Sequence, residues 1–422
     1  MKKVSFNKMA LIPGSKELIL QINTTNILNL IKDFEPISRT GLSKRSKLSL
    51  ATVCKIVDSL IDIGLVKEVG EGESSGGRRP ILLQINYKSF YLVGIKLSEN
   101  MVTAALTDLK ADLITTLEEK FKDGESVEKI VNVISQSYDH VISESDIPKE
   151  KVLGLGIGLP GHIDGKDGIV RYSSILGWRN VGLKKILQEK LNTPVLIEND
   201  VNTLTIAEKY FGVGKGIDNF ICVTIGRGIG SGIVVGGEFY RGHLGAAGEF
   251  GHITVKKDGP LCECGSRGCL ESISSELAIV RRTTEAIRSG ERSSLGDILD
   301  KRDLNIMDVI KAAKDGDKLS KTVYNEAGMY LGIGIANLTN LLNPQLIIIS
   351  GEGVKAEDLL FKFMKKSFKE HCFPSLREKT DIKIEKLGNY AWARGAATLV
   401  SRMVFKEPKI LEDKEMLMAG SH

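Results

Sequence analysis

Between positions 252 and 269 the chain carries one histidine and three cysteines, His252, Cys262, Cys264 and Cys269. Three thiolates and an imidazole suit a tetrahedral zinc ion. Four protein ligands leave no open position, so a metal held there is structural rather than catalytic. Gly265 and Gly268 allow so short a loop to fold back around an ion. The bland alternative is a set of free buried cysteines, which three cysteines within eight residues disfavour. Glu249 and His252 stand just before the loop and Glu271 just after it. A metal clamp would therefore pin several polar side chains near one cleft, and His252 has a second ring nitrogen to offer a ligand or a carboxylate.

The elements around these residues divide the chain. Residues 1–84 hold 13 Lys and Arg against 8 Asp and Glu, which accounts for the entire net charge of +5; the remainder is balanced. Such asymmetry fits a nucleic-acid-binding head on a neutral body. "TTNILNLIKDF" has apolar residues at helical spacing. "ISRTGLSKRSK" is a second helical stretch, weakened by Gly41. A third helix follows Ser49, a good N-cap, with Val53, Ile56, Val57, Leu60 and Ile61 on one face and Thr52, Lys55, Ser59 and Asp62 on the other. Gly64 ends it. Strands at 65–69 and 81–85 then flank a Gly- and Ser-rich turn carrying Arg78 and Arg79. Three helices and a two-stranded hairpin make a winged helix-turn-helix, whose third helix can enter a major groove while the wing reaches phosphates or a minor groove. Thr52, Lys55, Arg78 and Arg79 are the expected DNA contacts; Lys44, Arg45 and Lys47 suit backbone contacts or a solvated face. A small helical protein-interaction module is the alternative.

From Phe90 onward strands alternate with helices: "YLVGIKL", "MVTAALTD", the helix "VEKIVNVISQSYDHVIS", "VLGLGIGLPGHID", "PVLIEND", the helix "VNTLTIAEKYF", the hairpin "NFICVTIGRGIGSGIVVGGEFY", the helix "YLGIGIANLTNLLN" and "QLIIISGEG". This is α/β architecture in two repeats, with a ligand expected between the lobes. The expected organisation is a winged helix-turn-helix over 1–85, a first lobe over 86–205 completed by a C-terminal helix at about 388–405, a second lobe over 206–387, and a tail over 406–422 ending in an appended "MAGSH". No apolar run reaches the ~18 residues of a membrane helix, no signal-peptide stretch opens the chain, and the scattered Cys54, Cys222 and Cys372 form no disulfide framework. The expected compartment is the cytoplasm.

The motifs "IGLPGHID", "LIENDVNTLTIAEKYFG", "TIGRGIGSGIVVGG", "GAAGEFGHI" and "CECGSRGCLES", in that order, resemble the ROK family of sugar repressors and sugar kinases, and the head resembles its repressor branch. The resemblance implies an actin-like, sugar-kinase-like body. It assigns zinc to the same four residues, and it implies a sugar site made by Asn199, Asp200, Glu249, His252 and Glu271. Carboxylates suit sugars because each accepts from two hydroxyls. Taken singly, these residues have plainer readings: Asp200 as a helix cap, Asn199 in a turn, Glu271 at a solvated helix start.

In the kinase branch the residue matching Asp200 is the general base, and the first lobe opens with a strand, an Asp and a Gly-Gly-Thr turn. Here the corresponding stretch is "GIKLSENMV" from Gly94. Lys96 stands where the Asp belongs, and Ser98, Glu99 and Asn100 replace the glycine turn. A lysine cannot help hold Mg²⁺, and side chains obstruct backbone approach to a phosphate. The glycine segments at 226–233 and 350–353 remain, with tight turns as their plainer reading. The expectation is a sugar-responsive repressor, dimeric on an inverted-repeat operator, rather than an enzyme. The alternatives are an ATP-dependent sugar kinase with catalytic Asp200, and a scaffold with a relic cleft.

Overall fold

The computed structural model describes residues 16–73, 79–243, 245–385, 388 and 390–406. Arg78 and the expected tail beyond Lys406 lie outside the described residues.

The head has helices Lys16–Phe34, Arg39–Ser46 and Leu50–Asp62. Ser49 caps the third helix by accepting from the Thr52 backbone N–H, and Val53, Ile56, Val57 and Leu60 are buried beneath it. Burial of each such side chain is worth about 1.5–3 kcal/mol. Gly64, at φ +84°, turns the chain out of the helix. The wing differs from the expected two-stranded hairpin. Ile37–Ser38 pairs antiparallel with Ile81–Ile85, which in turn pairs with Val66–Glu71, giving three strands. Two residues carry no readable period, so that edge strand had no signature in the sequence. Arg39 binds both Asp58 (3.0 Å) and Glu68 (2.9 Å), tying the second helix to the third and to the wing.

The body contains two five-stranded sheets of the same design. In the first the order is Val195–Asn199, Val152–Leu159, Tyr91–Leu97, Met101–Asp108, Leu113–Lys120. In the second it is Asp381–Ile384, Leu346–Ser350, Phe220–Ile225, Ile229–Val235, Glu238–Tyr240. In each, a three-strand antiparallel meander is extended by two parallel strands. Helix Val127–Ser143 packs Ile130, Ile134, Tyr138 and Val141 into the core under the first sheet. The C-terminal helix Ala391–Lys406 lies on the first sheet so closely that a Cβ on Gly94 or Gly156 would come within 1.9 Å of the Ala393 or Ala396 carbonyl oxygen; only glycine permits that approach.

The far end of this helix meets the head. Thr25 Oγ1 donates to the Lys406 carbonyl (2.9 Å), Asn29 Nδ2 donates to that of Phe405 (3.2 Å), and Met403, Val404 and Phe405 join the core of the head. Helix Asp200–Phe211 lies against Ala391–Lys406 and starts on the wall of the interlobe cleft. Among the described residues no helix is long and apolar enough to cross a membrane.

Candidate functional site: the interlobe cleft

A cleft of about 800 Å³ runs between the lobes. Its walls include Asn199, Asp200, Glu249, His252 and Glu271, so all five residues expected at one site do face one space. They do different work. Asn199 is the N-cap of helix Asp200–Phe211: its Oδ1 accepts from the Asn202 N–H (3.3 Å) and its Nδ2 donates to the Gly161 carbonyl (3.0 Å). The cap expected of Asp200 is therefore Asn199, and capping fixes the Asn199 side chain. Asp200 is the first residue of the helix and accepts from the Val201 N–H (2.9 Å). Burial raises its pKa, Lys96 and that N–H oppose the rise, and Glu352 adds to it. Glu271 accepts from the Ile229 N–H (2.9 Å), which braces the glycine turn before Ile229. Glu249 is the most open of the group, with Oε2 at 3.8 Å from His252 Nε2.

The other face of His252 meets the cysteines. Its Nδ1 is 3.6 Å from Cys262 Sγ, and Cys264 Sγ is 3.7 Å from Cys269 Sγ. All four donor atoms lie within 4.8 Å of one another. A tetrahedron with Zn–S bonds of about 2.3 Å has edges of about 3.8 Å, so the donors are spaced to hold one metal ion. Gly265 and Gly268 both take positive φ in this loop, and a Cβ on Gly268 would come within 1.6 Å of the Lys256 carbonyl oxygen.

Glu198 lies behind the carboxylate end. Its Oε1 accepts from the Asn199 N–H (3.0 Å) and from Asn202 Nδ2 (2.9 Å), and its Oε2 from Arg241 Nε (2.9 Å). Arg241 precedes the arm that carries Gly245 to Glu249 along the cleft wall, so this ion pair ties a second-lobe arm to the first lobe.

The adjoining end, where Lys96 and Glu352 lie within charge range of Asp200, is lined by Lys96, Ser98, Glu99, Asn100, Arg227 and Glu352. The Lys96 ammonium sits 3.9 Å over the Trp392 ring and 3.4 Å from Glu352 Oε1. Arg227 Nη1 donates to Glu99 Oε2 (2.8 Å). A Cβ on Gly226 would lie 2.5 Å from Glu352 Oε2, so a side chain there would displace that carboxylate. Glu276 opens the helix Glu276–Arg288 beside Glu352; burial first, and then Glu352, push its carboxyl up to about 7.

The pattern of the ROK family matches residues 92–403. The chain belongs to the ROK family. The xylose repressor of Caldicellulosiruptor bescii is 32% identical over 387 residues, which cover 92% of this chain and 97% of the relative. A crystal structure of a ROK family transcriptional regulator, a homolog of the E. coli MLC protein, superposes with a TM-score of 0.81 at 30% identity, covering 95% of this chain and all of that one. A ROK family glucokinase from Streptomyces griseus, solved with glucose and AMPPNP, matches with a TM-score of 0.64 at 30% identity over 73% of this chain and 98% of the kinase. The mixed α/β, two-lobed actin-like fold read from the sequence is thus the ROK fold, with the head in addition.

The sequence reading missed Trp392, Glu352, Glu276 and Arg241. Trp392 enters from the C-terminal helix; Glu352 lies within the 350–353 glycine segment and Arg241 and Glu276 within a few residues of quoted motifs, but no spacing marks these side chains out. In the head of this ROK chain, Lys55 and Arg79 are exposed, whereas the Thr52 hydroxyl is engaged with Ser49 Oγ (2.8 Å). Arg45 stacks on Phe34 (3.7 Å).

Proposed function

We propose that this ROK protein is a sugar-responsive transcriptional repressor. Its winged helix binds operator DNA, and its cleft binds a sugar at the carboxylate end. One observation carries the reading: five polar groups line one cleft, while at its adjoining end Lys96 and a turn with full side chains stand in place of an acid and glycines. The five groups suit hydroxyl recognition; the adjoining end does not suit a metal–nucleotide complex.

In this reading Asp200, Glu249 and Glu271 accept from sugar hydroxyls, Asn199 helps hold Asp200 in place, and His252 Nε2 faces the ligand. His252, Cys262, Cys264 and Cys269 hold a structural zinc ion that pins Glu249 and Glu271 on either side of one loop. Thr52, Lys55, Arg78 and Arg79 contact DNA; for Thr52 this means sharing its hydroxyl with Ser49. The protein acts as a cytoplasmic homodimer on an inverted repeat, because two half-sites call for a symmetric partner. The division into a head at 1–85, lobes at 86–205 and 206–387 with the C-terminal helix returning to the first, and a tail from 406 belongs to this proposal. The sugar shifts DNA affinity only to the extent that it favours one lobe arrangement over another.

The test is selection of random duplex DNA by the full chain, with and without a pool of pentoses, hexoses and N-acetylhexosamines. Xylose heads the panel because of the relative's name. We expect an enriched palindrome that weakens with the pool; no enrichment in either tube overturns the reading.

Asp200, on the cleft wall, keeps a second reading open: an ATP-dependent sugar kinase. ATP turnover that depends on sugar and disappears in Asp200→Ala would establish it.

A further inference from the structure

We propose that the residues standing in place of a phosphate-binding loop form an ionic clasp across the cleft: Lys96 on Glu352 and Trp392, and Glu99 on Arg227. The chain thereby holds its lobes together with its own charges at the end where a kinase would hold a nucleotide. This inference rests on reading the cleft as a nucleotide-free sensor.

Both pairs cross between lobes. Lys96 belongs to strand Tyr91–Leu97 and Glu99 to the turn that follows it, both in the first sheet. Glu352 belongs to the short 3₁₀ turn Glu352–Ala356 after the second-sheet strand Leu346–Ser350, and Arg227 to the turn between Phe220–Ile225 and Ile229–Val235. The polarity is crossed. The first lobe offers a cation and then an anion, and the second offers the matching anion and cation. Exchanging partners would set Lys96 against Arg227 and Glu99 against Glu352, so the charges favour one lobe register and penalise the other. The positions at which the sequence departs from the kinase pattern are therefore the ones that supply the first-lobe half of each pair.

Lys96 is more than a surface charge. Only 14% of its side chain is exposed, and it is held by a ring as well as by a carboxylate. Trp392 stands at the start of Ala391–Lys406, the helix whose other end carries the carbonyls bonded by Thr25 and Asn29 of the head. Sixteen residues of helix span about 24 Å. The clasp thus bears on the element that touches the DNA-binding head.

The experiment is hydrogen exchange on the full chain, comparing wild type, Glu99→Gln, Glu352→Gln, the double variant, and the charge swap Glu99→Arg with Arg227→Glu. We expect amides at 98–101, 226–228 and 351–355 to exchange about threefold faster in each single variant and about tenfold faster in the double, in proportion to pairs of this exposure. The swap returns the rates toward wild type, and adding Mg·ATP to wild type changes nothing. Unchanged exchange in the double variant overturns the clasp, as does a swap that exchanges no more slowly than Glu99→Arg alone, which is measured beside it. Protection of these segments by Mg·ATP overturns it too. No readout here needs sugar or operator, so failure of the clasp is distinct from failure of the repressor reading, which would show as absent DNA enrichment. If the double variant does not fold, the swap and the Mg·ATP arm still decide.

Discussion

At the carboxylate end of the cleft, polar side chains are held by backbone groups, some next to them and some distant, as Ile229 holds Glu271 and Gly161 holds Asn199. Asn199 caps its own helix, Asp200 accepts from the neighbouring N–H, and His252 shares a loop with its cysteines. At the lysine end the side chains come from four separate segments and are held mainly by one another. The first arrangement leaves hydrogen-bonding capacity pointing into the space between the lobes. The second consumes its own charges. A pre-organised end awaits a ligand, whereas a self-paired end has supplied one, and the proposed sensor role rests on that contrast.

The contrast breaks most severely at the metal cluster. Cys269→Ala should abolish bound zinc, measured by metal content, and weaken sugar binding more than about 100-fold by calorimetry, since structural zinc contributes folding free energy directly. Sugar binding that survives metal loss would mean the carboxylate end is held by something other than the metal.

Asp200→Asn should cost about 10- to 100-fold in sugar affinity, as expected for hydrogen bonds to a charged group. Thermal stability should hold or rise, because burial already disfavours the ionised carboxylate. A fall in stability with sugar affinity intact would give Asp200 a purely structural role in the first turn of its helix.

Lys96→Asp restores the acid of the kinase pattern at one position only. ADP release with any sugar should stay at the blank, because Ser98, Glu99 and Asn100 still fill the turn. The new carboxylate faces Asp200 and Glu352, so stability should drop by about 1–2 kcal/mol in thermal or urea unfolding. Turnover in this variant would show that the lysine alone stood between this chain and catalysis.

The smallest effect concerns pH at the lysine end. Glu276, pushed up to about 7 when folded, keeps its proton between the ordinary glutamate pKa and about 7. In that window the folded chain binds more protons than the unfolded one, so stability declines as pH rises. Glu276→Gln should remove that part of the slope, a change of about 1–2 °C in the midpoint measured across the window. An unchanged slope would mean that Glu352 and Lys355 balance the carboxyl without burial mattering.

Much of the secondary structure was legible. Tyr91–Leu97, Met101–Asp108, Val127–Ser143 and Ile81–Ile85 fall where periodicity put them, and the body strands stop at the glycines and polar turns that bound them. Leu113–Lys120 escaped notice because it is a mostly exposed edge strand with little apolar alternation. Ile169–Ser173 and Trp178–Val181, which with His162–Asp164 make a small sheet beside the cleft, are too short to show a period. Arg241 and Glu198 gave no signal, since neither belongs to a spacing that chemistry requires.

The sequence by itself determined the cluster of His252, Cys262, Cys264 and Cys269 and the capped third helix, because each is a relation among residues within a few turns of chain, while the loss of the acid and glycines at 96–100 was legible only against the family pattern. Only the tertiary structure decided what those losses became. Lys96 and Glu352 are 256 positions apart and Arg227 and Glu99 are 128 apart. Contacts over such separations leave no periodic trace, and they exist because two copies of one sheet design face each other across a cleft and the C-terminal helix brings Trp392 back to the first.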